Sequence, residues 1–213
     1  MIIDITRSLP QAEVYPGDPE PMLSRIKTLD ADGLNLTVLT ACVHTGTHAD
    51  APLHYIYGGE DAAKLSLSEF AGRCEVIKLP GGIAQNNPSD GIVQPSQLKN
   101  SSEGIVQPSQ LKNPSGVRIM LFAGAQFAPG CAAEFARLGV KTVGTDTMSI
   151  APENAEERVH REFFHSGINI IECLDLSGAQ AGEYLFCGFP LKLCGSDGAP
   201  MRAVLMSAED ILR

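Results

Sequence analysis

The chain reads as an α/β or α+β protein, a mixed sheet with helices packed against it. Short runs of β-branched and apolar residues recur from one end to the other. Two stretches of helical character, residues 132–138 and 152–166, fall between those runs rather than after them. At 213 residues, with 44% hydrophobic and 19% charged, the chain can bury one sizeable core, so one domain over 1–213 is expected.

Taken in order, residues 2–5 form an opening strand. Leu34, Leu36 and Val38 alternate with polar or small residues, the pattern of a half-buried strand leading toward Cys42. Ser66 is placed to cap a short helix ending at Phe70, with Glu69 three residues on completing a capping box. Residues 74–79 and 117–123 are strand-like. The helix over 132–138 stops at Gly139. The one over 152–166 starts among Glu153, Glu156 and Glu157 and has Gly167 just past its end, as the helix dipole and C-terminal chemistry favour. Strands follow over 168–174, 184–193 and 203–206.

Sixteen Lys and Arg against twenty-five Asp and Glu give a net charge of −9, which argues against nucleic acid as a partner, since phosphate neutralisation needs clustered cations. The most apolar stretch, 119–128, is about half the ~20 residues a membrane span requires. The first residues carry Asp4 inside their apolar run with no basic region before it, unlike a signal peptide. A cytoplasmic location and a small-molecule partner are the expectation. The six cysteines (42, 74, 131, 173, 187 and 194) show no C-x-x-C spacing and read as small buried hydrophobes in a reducing compartment.

Residues 91–100 recur unchanged at 104–113. Two units at a period of thirteen are a tandem duplication and not a repeat architecture, which needs three or more to bury a shared core. Only one copy can hold the structural position, with a short helix expected near Pro95; the other is expected on the surface, where added chain costs little entropy.

Three of the five histidines lie within His44-Thr45-Gly46-Thr47-His48-Ala49-Asp50-Ala51-Pro52-Leu53-His54. Imidazole nitrogen and carboxylate oxygen are the ligands of Zn²⁺ and similar divalent ions. Fully extended, His44 and His48 would stand ~13 Å apart, too far to share one ion. The chain must bend, and Gly46 supplies the freedom. Asp50 follows His48 by two residues, on the same side of an extended chain. Pro52 directs the exit, leaving His54 beyond the turn, able to face a metal without binding it. The plain alternative is three hydrogen-bonded histidines on a loop.

A second cluster joins His160, on the helix, to Glu172, inside the apolar run 168–174. A carboxylate there is costly to bury unless a cation meets it, and a metal ion would do so; an Arg or solvent at the strand end is the alternative. His165, about 140° further round the helix, should point elsewhere.

Together these residues resemble the signature of the cyclase family of metal-dependent hydrolases, which includes bacterial kynurenine formamidase and isatin hydrolase. The likeness extends to Tyr15-Pro16-Gly17-Asp18-Pro19, to Ser68-Glu69-Phe70-Ala71-Gly72, to Gly144-Thr145-Asp146-Thr147-Met148-Ser149, and to Pro190-Leu191-Lys192 with Gly198-Ala199-Pro200-Met201-Arg202-Ala203. The resemblance implies a swivelling β/β/α-type fold and a homo-oligomer, dimer or tetramer. It implies His44, His48 and Asp50 as ligands of a first divalent metal. It further implies Asp50, His160 and Glu172 around a second ion in two-metal members, with Asp50 and Glu172 shared. Zinc is the expected ion, manganese the alternative, with one or two bound. His54 takes the general acid/base position and Tyr15 the substrate loop, where formamidases of the family usually carry a Trp; this chain has no Trp at all. The duplicated segment is not part of the family pattern.

The expected reaction is hydrolysis of a small amide, an N-formyl aryl amide first, by metal-activated water with His54 moving the proton. Such an activity belongs to the kynurenine pathway of tryptophan catabolism. The alternatives are hydrolysis of a cyclic amide or lactone, and a metal-containing binding protein without turnover. Phe189 is a further candidate for the pocket wall. Cys42, two residues before His44, is a weaker candidate nucleophile, because no orienting partner is evident.

Overall fold

The computed structural model describes residues 1–79 and 104–207. Twelve strands are present among them: β1 (Ile2–Asp4), β2 (Met22–Lys27), β3 (Leu36–Thr40), β4 (His48–Asp50), β5 (Ala71–Lys78), β6 (Ile105–Val106), β7 (Ile119–Ala123), β8 (Gln126–Phe127), β9 (Thr142–Thr145), β10 (Asn169–Glu172), β11 (Gly182–Pro190) and β12 (Gly198–Met206). The α-helices are α1 (Leu29–Asp32), α2 (Cys131–Arg137) and α3 (Glu156–His165), so the protein is mixed α/β.

Seven strands close into a barrel in the order β12-β11-β5-β7-β9-β10-β4, and β4 returns to β12. The closure depends on the length of β12. Its residues Gly198, Ala199 and Pro200 pair with β4, whereas Val204 to Met206 pair with the short flanking strand β1. The steps β5–β7, β7–β9 and β9–β10 are parallel, and α2 and α3 supply the last two crossovers, as parallel neighbours require.

Side-chain alternation then builds two cores. Inward residues, among them Ile119, Leu121, Ile171, Phe186 and Leu205, fill the barrel. Their neighbours Met120, Phe122, Val143 and Ile170 point outward beneath α2 and α3, against Phe135, Val159 and Phe163. Gly144 must be small, because a Cβ there would lie 2.7 Å from Leu121 Cδ2 and 2.8 Å from Leu174 Cδ1.

The second copy of the duplicated decamer holds the structural position. Val106 is 1% exposed and Leu111 6%. Asn113 donates to the carbonyls of Val117 and Leu138 and accepts from Val117 N. The expected short helix is a 3-10 turn over Pro108–Gln110, with Gln110 Oε1 accepting from Gln107 N. The first copy, including the turn expected near Pro95, lies outside the described residues.

Two local expectations need correction. Leu36 and Val38 do lie on a strand, but among the described residues β3 pairs only with β2, and all five of its residues are exposed. Alternation marked a strand correctly but said nothing about whether a core lay beneath it. Ser66 precedes a single 3-10 turn, Leu67–Glu69, and its hydroxyl pairs with that of Ser68 instead of capping a backbone N–H. Glu69 is drawn away to Asn169 and Arg118, so the capping box does not form.

Candidate metal centre

The site forms on the outward face of β4 and β10. Within β4, Ala49 points into the barrel, so His48 and Asp50 point out. In β10, Ile171 is inward, which turns Glu172 outward, and the antiparallel register sets Glu172 beside His48. From α3, His160 arrives on the buried face with Val159 and Phe163. His48, Asp50, His160 and Glu172 are all at least 95% buried, an extreme setting for four ionisable groups.

The approach to β4 has the bend that the spacing demanded. Gly46 has φ +69°, a left-handed conformation, and a Cβ there would sit 3.2 Å from Leu9 Cδ2. Thr47 straps the bend down: its hydroxyl donates to the Cys173 carbonyl (2.6 Å) and accepts from Arg7 N (2.9 Å). Cys173 adopts φ +56°, a strained conformation for a side-chain-bearing residue, immediately after Glu172.

Ring orientation points to a cation. His48 Nδ1 donates to the Gly46 carbonyl at 2.8 Å, and His160 Nδ1 to the Glu156 carbonyl at 2.8 Å. Each ring is thereby held with Nε2 toward the carboxylates, as in metal-ligating histidines fixed by an outer hydrogen bond. His160 Nε2 lies 3.2 Å from Glu172 Oε1 and 3.5 Å from Asp50 Oδ2. His48 Nε2 lies 3.2 Å from Asp50 Oδ1 and 3.6 Å from Glu172 Oε2. Yet, among the described residues, His48 Nε2 and Asp50 Oδ2 are buried without a hydrogen-bond partner. Unsatisfied polar atoms in a dry site are costly, and a divalent ion bound there would satisfy both. The donor set fits a metal.

Among the described residues, three triads offer one ligand atom per residue within 4.8 Å: His44, His48 and Asp50; Asp50, His160 and Glu172; and a more open one of His44, His54 and Asp197. Asp50 belongs to both of the more buried triads. His44 Nδ1 is 3.0 Å from Asp50 Oδ1. Burial opposes charge on Asp50, but the imidazoles of His160, His44 and His48 beside it hold its carboxyl well below the usual range. Burial likewise opposes protonation of His160, and Asp50 and Glu172 outweigh it, pushing the ring up to about 10 without metal. The same carboxylates raise His48.

His54 differs. It sits on the 3-10 turn Pro52–His54, half-buried, stacked on His44 with centroids 4.2 Å apart. Burial pushes its pKa down, so it is neutral near pH 7. The sequence-predicted residues thus gather in one place, with His54 outside the two triads that share Asp50 and inside the more open third one. Tyr15 reaches the same region from the other side: its hydroxyl donates to Glu156 Oε2 at 3.0 Å, and burial with Glu156 pushes its pKa up to about 12. Asp18 closes the Tyr15 turn through its backbone N–H. Phe189 is 45% exposed on β11, opposite Arg202. His165 is exposed. Burial raises the Cys42 thiol, which works against the nucleophile reading.

Two residues escaped the sequence. Tyr55 stacks on His160 (4.6 Å) and meets His54 edge-on (4.4 Å). Asp197, in the turn before β12, places Oδ2 3.1 Å from His44 Nε2 and 3.3 Å from His54 Nδ1. Its adjacency to the Gly198-Ala199-Pro200 stretch was the available signal. Gly198 itself gives His44 room, since a Cβ there would lie 2.7 Å from His44 Cε1.

Known proteins share this arrangement of chain. The family model described as putative cyclase matches residues 3–152. A kynurenine formamidase of Salinibacter ruber (strain DSM 13855 / M31) is 33% identical over 216 residues, covering 98% of this chain and 99% of the relative. A solved structure described as a potential metal-dependent hydrolase with cyclase activity superposes with a TM-score of 0.71 at 25% identity, covering 96% of both chains. Isatin hydrolase A from Labrenzia aggregata, bound to benzyl benzoate, shares the fold with a TM-score of 0.76 at 19% identity, over 97% of this chain and 93% of that one. By sequence match and by fold, this chain belongs to the cyclase family of metal-dependent hydrolases.

Proposed function

We propose that the protein is a metal-dependent amidohydrolase that cleaves a small N-formyl aryl amide, with His54 as its general acid/base. The observation that carries this reading is the pair of unsatisfied buried atoms, His48 Nε2 and Asp50 Oδ2, beside a neutral, half-buried imidazole. The formyl aryl substrate follows the curated relative named kynurenine formamidase, which matches nearly end to end.

His44, His48 and Asp50 would hold one divalent ion, and Asp50, His160 and Glu172 a second, with Glu172 lying between the two groups. Imidazole with carboxylate suits zinc best, with manganese the alternative. Such an ion supplies Lewis acidity and acidifies water. The protein's own groups do the rest. His54 accepts the proton of the attacking water and returns it to the departing nitrogen, because an amine leaves poorly unless protonated. Water's oxygen joins the formyl carbon, the C–N bond breaks, and formate and an aryl amine result. Tyr15 and Tyr55 border the space with aromatic surface suited to an aryl group.

We further place the protein as a homo-oligomer. The β2–β3 ribbon exposes Met22 (55%), Leu23 (51%), Ile26 (58%) and Leu39 (50%). A two-stranded ribbon is marginal in water unless its apolar residues are covered, and a second copy would cover them. No helix among the described residues is long and apolar enough to cross a membrane.

The test is a zinc-loaded assay on formanilide-type substrates beside a cyclic amide. Release of formate from the formamide at a rate abolished by His48→Ala supports the reading. Cleavage of the cyclic amide alone, or metal without turnover on either, overturns it.

A further inference from the structure

We propose that Asp197 is the positioning residue that sets both the His44 ligand and the His54 acid/base group. The proposal rests on the reading of those two histidines given above. Each of the other ligand histidines has its rear nitrogen tied to a backbone carbonyl, His48 to Gly46 and His160 to Glu156. Among the described residues no backbone carbonyl ties His44 in this way. Its Nδ1 faces Asp50, and its Nε2 faces Asp197 Oδ2 at 3.1 Å. A carboxylate behind a ligating imidazole orients the ring and raises its basicity more than a carbonyl does.

The same oxygen lies 3.3 Å from His54 Nδ1, and the two rings stack. Neutral imidazole in water prefers protonation at Nε2 only modestly, so a carboxylate beside Nδ1 can draw the ring proton there. With the proton at Nδ1 beside Asp197, Nε2 of His54 is left bare, and a bare nitrogen is what a general base needs. One carboxylate thereby aligns a metal ligand and selects the tautomer of the proton carrier. The backbone of Asp197 is held independently of its side chain. Its carbonyl accepts from Ala51 N at 2.8 Å, and Gly198 next to it pairs with Asp50 in the barrel. With 46% of the side chain exposed, replacement should leave the fold intact.

The experiment uses the zinc-loaded full chain with ¹⁵N-labelled histidine, and compares wild type with Asp197→Ala and Asp197→Asn. Long-range ¹H–¹⁵N spectra above the His54 titration should show wild-type His54 protonated at Nδ1 and bare at Nε2. In Asp197→Ala the proton should shift to Nε2, with Asp197→Asn intermediate. Zinc affinity, read by chelator competition, should fall about 10- to 100-fold in the Ala variant. At saturating zinc, kcat on the formamide should drop at least about tenfold, with KM changed less than about twofold. An unchanged His54 tautomer together with unchanged zinc affinity in Asp197→Ala would overturn the proposal. Those two readouts need no substrate, so they still decide the role of Asp197 if the formamide proves to be the wrong substrate.

Discussion

Two identical decamers in one chain permit an unusually clean experiment: the same substitution in the same local sequence, at Leu98 and at Leu111. Intrinsic propensity is identical in the two settings, so any difference in cost is tertiary. Leu111 is 6% exposed in the core that also holds Val106 and Leu138, and truncating such a leucine costs about 2–5 kcal/mol. For a chain of this size that corresponds to a fall in Tm of about 4–20 °C. Leu98→Ala should stay within about 0.5 kcal/mol, because the structural position is already taken. Deleting residues 91–103 removes one full period and leaves a single decamer. It shortens the connection between Leu79 and Gly104 from 24 residues to 11, which changes the closure entropy by at most about 0.7 kcal/mol, in favour of folding. Urea unfolding followed by far-ultraviolet circular dichroism measures all three variants. A cost for Leu98→Ala equal to that of Leu111→Ala, or a deletion that destabilises by more than about 1 kcal/mol, would refute the assignment of the second copy to the core.

Further outcomes follow from the site. His54→Ala should keep its metal, since all five ligand side chains remain, while kcat falls by about 10²- to 10⁴-fold; His48→Ala should lose both metal and activity, as metal analysis beside kinetics will show. Gly198→Ala should weaken metal binding, because the new Cβ would fall 2.7 Å from His44 Cε1 and displace the ring; chelator competition reads the effect. In metal-free protein, His160 is raised to about 10, so its ion pairs stabilise the fold fully below the ordinary histidine value near 6.5. That contribution should decline as pH rises from 6.5 toward 10, in urea titrations of metal-free wild type against His160→Gln, whose stability should vary less over that window. Metal binding near pH 7 should expel this proton, visible by calorimetry in buffers of different ionisation enthalpy.

Much of the site was legible because its geometry is local. Period-two alternation puts His48 and Asp50 on one face whatever the rest of the fold does, and Gly46 announces the bend before them. Glu172 was conspicuous for the opposite reason, as a charge where an apolar strand should continue. What was not legible depends on contacts remote in sequence. Asp197 meets His44 across 153 positions, and only barrel closure through β12 brings it there. Tyr55 looks like any aromatic residue until α3 lays His160 against it. The β2–β3 ribbon shows the limit of periodicity, since it specifies a strand without specifying whether anything covers it. Ser66 and Glu69 show that a capping box is a local option, and Glu69 instead meets Asn169 at the start of β10.

Whether a cation sits among His48, Asp50, His160 and Glu172 decides more than any rate. Crystals of the zinc-loaded protein, measured on both sides of the zinc absorption edge, should give an anomalous peak within about 2.0–2.2 Å of Asp50 oxygen and of ring nitrogens from its partner histidines. Zinc bound only at surface cysteines or acidic side chains, with these four groups unliganded and hydrogen-bonded to one another, would contradict the account.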